Sequence, residues 1–135
     1  MKKIFLLLYI IVIAVSAVGC LDNTYDATAV YTEDAVLGEG SRTITVKIVD
    51  DESKAVNLTI NTDCDNLGDA LKEHNLVSGD NSAYGLYIKM VNGVVADFDK
   101  NGAYWAFLKN GKQLMTGADG EKIENGNAYE IVYTK

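Results

Sequence analysis

The sequence predicts an α+β domain: an antiparallel or mixed sheet packed on one short helix. Three observations carry that reading. First, Tyr84 to Met115 holds three Asn-Gly pairs, Asn92-Gly93, Asn101-Gly102 and Asn110-Gly111, each flanked by strand-favouring residues. Asn and Gly both tolerate positive φ, which a tight type I′ turn requires, so this stretch reads as repeated hairpins. Second, Thr43 to Val49 and Val56 to Asn61 each alternate apolar and polar residues with period two, on either side of a polar turn at Asp50 to Lys54. Third, a single short stretch, Leu67 to His74, has helical spacing. Twelve Gly and no Pro suit turns built from Gly and Asn. The formal net charge of −7 argues against a nucleic-acid partner, which needs a basic footprint.

Taken in order, Met1 to Gly19 reads as a secretory leader. Lys2-Lys3 is its basic head, Ile4 to Val15 its apolar run, and Ala17-Val18-Gly19 supplies small residues before Cys20. Small residues directly before a Cys resemble the lipobox of bacterial lipoproteins. The resemblance implies that Cys20 is diacylated and becomes the new N-terminus. Two acyl chains anchor stably where one binds marginally. The implied location is the outer surface of a bacterial cell membrane.

Residues 20–41 read as a flexible tether. They are polar and acidic, with no sustained period. A random coil of that length reaches ~25 Å. Residues 42–135 read as the folded domain. It opens with a hairpin, Ile44, Val46 and Ile48 facing Val56, Leu58 and Ile60. Asp65 or Asn66 can cap the following helix, Asp69 complements its dipole, and Asn75 can end it. A polar loop is expected over Ser78 to Ala83. Strands are expected over Leu86–Val91, Val94–Phe98, Tyr104–Leu108, Lys112–Met115 and Ala128–Thr134. Strand, strand, helix, then more strands is the order of a β-grasp, a sheet wrapped across one helix.

Tyr104-Trp105-Ala106-Phe107-Leu108, followed by Thr116-Gly117-Ala118-Asp119, resembles the C-terminal β domain of the cobalamin carriers. The span from about Thr43 onward is closer still to a bacterial transcobalamin-C-terminal-like family, a domain of unknown function found in cell-surface proteins. Asn66 to Leu71, Tyr84 to Tyr87, and Ala96-Asp97-Phe98-Asp99 carry that likeness. It implies a β-grasp of the soluble-ligand-binding type. The carriers sandwich cobalamin between this domain and a large helical barrel, which these 135 residues do not supply. Either a partner provides the second face, or the ligand differs, or only the fold is kept.

Two candidate sites follow. Tyr104, Trp105 and Phe107 can present aromatic rings to a flat ligand, with Tyr84 and Tyr87 beside them; a cobalamin-type molecule is the ligand the resemblance implies. In a strand Trp105 and Phe107 share one face and Tyr104 the other. The expectation is that Trp105 and Phe107 point inward and Tyr104 outward. The second site is Asp97, Asp99 and Asn101, spaced like the start of a calcium-binding loop. A Leu stands at the twelfth position, where such loops carry Glu, so the expected affinity for calcium is weak and the alternative is an acidic hairpin turn.

His74 reads as a helix-end residue and Cys64 as a buried or capping thiol. The sequence has no Ser/His/Asp set, no Cys/His pair and no phosphate loop. The functional expectation is therefore a non-enzymatic surface lipoprotein that binds a small soluble ligand, as an accessory to a membrane transporter. The alternative is an interaction or structural module of the cell envelope, bound to another surface protein.

Overall fold

The alternating run that opens the domain builds the central hairpin. The computed structural model describes residues 29–83 and 85–135. The leader, Cys20, the first part of the expected tether and Tyr84 lie outside the described residues. Strand β2 (Arg42–Val49) pairs antiparallel with β3 (Ala55–Thr62). Ile44 lies opposite Ile60, Val46 opposite Leu58 and Ile48 opposite Val56. All six are buried, so the period-two pattern sets the register as expected.

The strand β1 (Ala35–Leu37) joins this hairpin in parallel along β3. These residues were expected in the tether; a three-residue strand of mixed exposure leaves no sequence signal of its own. The chain before β1 is also docked. The Tyr31 backbone N–H donates to Asn92 Oδ1 (2.6 Å), and Asn92 Nδ2 donates back to the Tyr31 carbonyl (2.8 Å). The folded unit therefore starts earlier than residue 42.

Helix α1 (Leu67–Glu73) is capped by Asn66, whose side chain accepts from the Asp69 N–H at 2.8 Å. Leu67, Ala70 and Leu71 face the core. Asn75, at φ 55°, takes the left-handed conformation that stops the helix.

The second half differs more from expectation. Val77–Ser82, expected as a polar loop, is strand β4. It pairs with β5 (Gly85–Val91), which turns through Asn92-Gly93 into β6 (Val94–Val95). The expected strand continuation to Phe98 is instead α2 (Phe98–Asn101), a single helical turn. Asp97 caps it and Gly102, at φ 71°, closes it. Asn101-Gly102 is thus a helix end rather than a hairpin. The same left-handed tolerance serves both, so the dipeptide alone does not discriminate. Asn110-Gly111 does turn a hairpin, between β7 (Tyr104–Lys109) and a short β8 (Lys112–Gln113). A 3-10 turn (Ala118–Gly120) leads on to β9 (Ala128–Thr134).

The strands form two sheets, not one. The larger has order β1-β3-β2-β9-β7-β8 and is mixed, with β1–β3 and β2–β9 parallel. The smaller is β4-β5-β6, antiparallel throughout. One apolar core, from Ile44 through Leu71 and Val91 to Ile131, joins both sheets and α1. This is a mostly-sheet α+β fold.

Candidate functional site

Strand β7 is fully paired with β9 on one side. On the other side β8 covers only Leu108 and Lys109, followed by a bond from the Leu114 N–H to the Phe107 carbonyl (2.9 Å). Strand β5 pairs with β4 along its length, but β6 covers only its last residues, Met90 and Val91. The uncovered stretches of β5 and β7 border a cleft of about 200 Å³ between the two sheets.

Alternation along β7 decides what the cleft meets. Trp105 is 6% exposed, Phe107 is half-buried, and Tyr104 turns outward. The inward placement of Trp105 and Phe107 agrees with the sequence. Trp105 and Phe107 line the cleft with Leu86, Tyr87 and Leu114. The Trp105 ring meets Tyr133 edge-on, with centroids 5.5 Å apart and planes at 85°. Its Nε1–H is buried with no partner among the described residues. A buried donor left unpaired costs ~1–3 kcal/mol, an expense concentrated at the wall of this cleft.

Of the five aromatic candidates, the structure thus brings Tyr87, Trp105 and Phe107 to one cleft. Tyr104 is placed on the opposite face. Sequence reasoning missed Leu86, Leu114 and Thr116 to Ala118 as lining. The Thr116-Gly117-Ala118-Asp119 stretch was visible as a motif, but a loop gives no direct sign of which strand it faces. A second, wider hollow of about 500 Å³ lies across the thin wall formed by Gln113, Leu114 and Thr116.

Asp119 ties the site together. Its Oδ2 accepts the Leu86 N–H at 3.0 Å, and its Oδ1 lies 3.2 Å from Lys72 Nζ. A Cβ on Gly68 would collide with Oδ1, so it is the glycine that lets α1 approach Asp119 this closely. One carboxylate thereby links α1, the 3-10 turn and the start of β5. Tyr87, 49% exposed, has Lys89 Nζ at 5.4 Å from its ring centroid. That ammonium is paired with Asp80 at 2.8 Å.

The acidic turn is engaged internally. Asp97 is buried, and its Oδ1 accepts from the Asp99 N–H at 3.2 Å. Its Oδ2 lies 3.7 Å from Lys89 Nζ. Asn101 Oδ1 accepts from the Ala103 N–H at 3.0 Å. Asp99 is exposed. Among the described residues no three His, Cys, Asp or Glu side chains gather as a metal-binding group. His74 ends α1, and the Cys64 thiol donates to Glu73.

Two titrating groups are shifted. Burial, and then the hydrogen bond to Glu121 at 2.7 Å, push the Tyr129 phenol up. The backbone and hydroxyl of Ser41, both donating to Asp63, hold its carboxyl below the usual range.

Residues 65–135 match the family described as Domain of unknown function (DUF4430), and the chain belongs to that family. A crystal structure from Ruminococcus gnavus, described as a "putative metal binding protein", is similar at 32% identity and TM-score 0.66. That match covers 70% of this chain and 98% of the relative. Haptocorrin in complex with Cbi is similar at 22% identity and TM-score 0.51, which shows a shared fold. The match covers 73% of this chain and 26% of haptocorrin, so this chain corresponds to about a quarter of that carrier. No curated protein sequence matches the chain.

Proposed function

We propose that this protein is a non-enzymatic ligand-binding domain, held at the outer surface of a bacterial membrane by a diacylated Cys20. In this reading it serves as an accessory for uptake of a corrinoid or another small soluble ligand. The observation that carries it is the cleft where Tyr87, Trp105 and Phe107 converge from two separate sheets. The fold shared with haptocorrin, which is seen in complex with Cbi, supports the ligand class. Small-molecule sites are commonly ~300–1,000 Å³, whereas this cleft is about 200 Å³. It can seat one edge of a large ring ligand, with the rest lying over the Gln113–Thr116 wall or against a transporter partner.

Trp105 is the only tryptophan, so its fluorescence reports on the cleft directly. Titrating cobalamin and cobinamide into the full chain should quench or shift that emission. An unchanged spectrum at high micromolar ligand would remove the stand-alone form of this reading. Alkyne fatty-acid labelling tests the anchor: label should be lost in Cys20→Ser.

A second reading rests on the uncovered edge of β7. An exposed strand edge can pair with a partner's strand, which would make the domain an interaction module of the envelope. A pull-down from envelope extract that recovers a transporter only with ligand favours the first reading. Recovery of a partner without ligand favours the second. The metal description of the Ruminococcus gnavus relative supports testing Asp97, Asp99 and Asn101 for weak calcium binding.

A further inference from the structure

The chain contains four Asn-Gly pairs, at 92, 101, 110 and 125. Asn-Gly is the sequence most prone to spontaneous deamidation, because Gly leaves its own nitrogen unhindered. That nitrogen attacks the Asn side-chain carbonyl carbon. The reaction therefore needs a free side-chain amide and a free Gly N–H at the same pair.

Three pairs lack that freedom. Both polar atoms of the Asn92 side chain are held by the Tyr31 backbone. A Cβ placed on Gly93 would fall 2.7 Å from Val30 Cγ2, so this turn is crowded as well. Asn101 Oδ1 accepts from the Ala103 N–H, and the Gly102 N–H donates to the Phe98 carbonyl at 2.9 Å. Asn125 Oδ1 accepts from the Thr43 N–H at 2.7 Å, and the Gly126 N–H donates to the Thr43 carbonyl at 2.7 Å.

Asn110-Gly111 is different. It sits exposed at the tip of the β7–β8 hairpin. Only the Asn110 backbone N–H is engaged, donating to the Ala128 carbonyl at 3.2 Å. Among the described residues neither its side-chain amide nor the Gly111 N–H has a partner. No atom lies within 4 Å of a Cβ built on Gly111, and the same holds at Gly102 and Gly126, so it is the unpartnered amide and N–H that set Asn110-Gly111 apart.

We infer that Asn110 is the deamidation site of the folded protein. Base removes the Gly111 amide proton, and the nitrogen bonds to Asn110 Cγ. The Cγ–Nδ2 bond breaks, ammonia leaves, and a succinimide ring remains. Water then opens the ring at either carbonyl, giving aspartate or an isoaspartyl linkage. Both products place a carboxylate between Lys109 and Lys112. The isoaspartyl product also adds a carbon to the main chain inside a two-residue turn. That disturbs the Lys109–Lys112 pairing and, through it, the strand that carries Gln113 and Leu114 to the cleft.

The test is peptide mass spectrometry of the full chain, aged folded or in denaturant at mildly alkaline pH in heavy-oxygen water. In the folded chain the peptide with Asn110 should convert at least about tenfold faster than the other three, whose groups must first be released by local opening. In denaturant the four rates should converge to within about threefold, since all four precede Gly and the fold no longer protects any of them. Earlier or equal conversion at Asn92, Asn101 or Asn125 in the folded chain overturns the assignment. A tenfold lead at Asn110 that persists in denaturant overturns it too, because the preference would then not come from the structure. Asn110→Gln should abolish the fast phase and leave the other three rates unchanged.

Discussion

The opening hairpin β2–β3, two strands of eight residues, and the small sheet β4–β5–β6, whose strands have six, seven and two, are held in different ways. In the hairpin every inward side chain meets a partner across a single turn, and Ile44, Val46, Leu58 and Ile60 are fully buried. The small sheet depends on groups far away in sequence. Asn92 is clamped by Tyr31, and the Leu86 N–H is held by Asp119. Its edge strand β4, Val77–Ser82, buries only Val77. A sheet built on its own alternation should be the last part to open. A sheet pinned by remote polar contacts should open first.

The largest expected effect is one that removes the contrast. Trp105 lies where both sheets meet the core. Trp105→Ala should cost ~3–5 kcal/mol, a large part of the ~5–15 kcal/mol that holds a domain of this size. Both sheets should then melt together at a much lower temperature. Tyr104→Ala, one residue away on the outer face, should stay within ~1 kcal/mol. Equal losses in the two variants would show that the faces of β7 are wrongly assigned.

Asp119→Ala separates the two regions. It leaves the Leu86 N–H without its acceptor and Lys72 with only its longer pair to Asp69 at 3.6 Å, at a cost of ~1–3 kcal/mol. Amide exchange should quicken at Leu86 and along β5 while β2 and β3 keep their protection. Faster exchange throughout would mean that the two sheets are one cooperative unit.

Asn92→Asp is milder. It keeps an acceptor for the Tyr31 N–H and a residue that tolerates φ 48°, but removes the donor to the Tyr31 carbonyl. A loss of ~1 kcal/mol is expected, read as faster exchange at the β5–β6 turn and at Tyr31. No change at Tyr31 would argue against the docked segment before β1.

Tyr129 gives a contrast that is silent at neutral pH. It stands in β9, paired beside β2 in the large sheet. Its folded phenol is raised above the ordinary 10.0 by burial and by Glu121. A raised acid contributes stability that is fully present below the unfolded value and is lost as pH climbs above it. The large sheet should therefore weaken only in the alkaline range beyond pH 10.0. Tyr129→Phe should flatten that limb in a urea-midpoint profile.

The same contrast explains what could be read from sequence. The hairpin was legible because period-two burial is written into consecutive residues. Helix α1 was legible from Leu67, Ala70 and Leu71 with Asn66 before them. Strand β1, strand β4 and turn α2 were not, because each exists through partners supplied elsewhere. Ala35–Leu37 needs β3, Val77–Ser82 needs β5, and the turn at Phe98 needs the cap of a buried Asp97. In the cleft, Trp105 and Phe107 were readable from their alternation. Leu86 and Leu114 were not, because the gap arises only where β6 and β8 stop short.

The smallest effect tests the acidic turn at the end of the small sheet. Asp97, Asp99 and Asn101 have calcium-loop spacing, but Asp97 and Asn101 already hold backbone N–H groups. Asp97 also has Lys89 Nζ 3.7 Å away. A calcium ion would have to compete with that ammonium, so only weak binding is expected. A site of millimolar affinity at several-fold excess calcium raises stability by ~1 kcal/mol from mass action. The rise should appear in wild type and vanish in Asp97→Asn with Asp99→Asn. Lys89→Met should enlarge it, because the competing charge is gone and the apolar stem is kept. If calcium moves neither wild type nor Lys89→Met, these carboxylates serve only to cap α2 and to pair with Lys89.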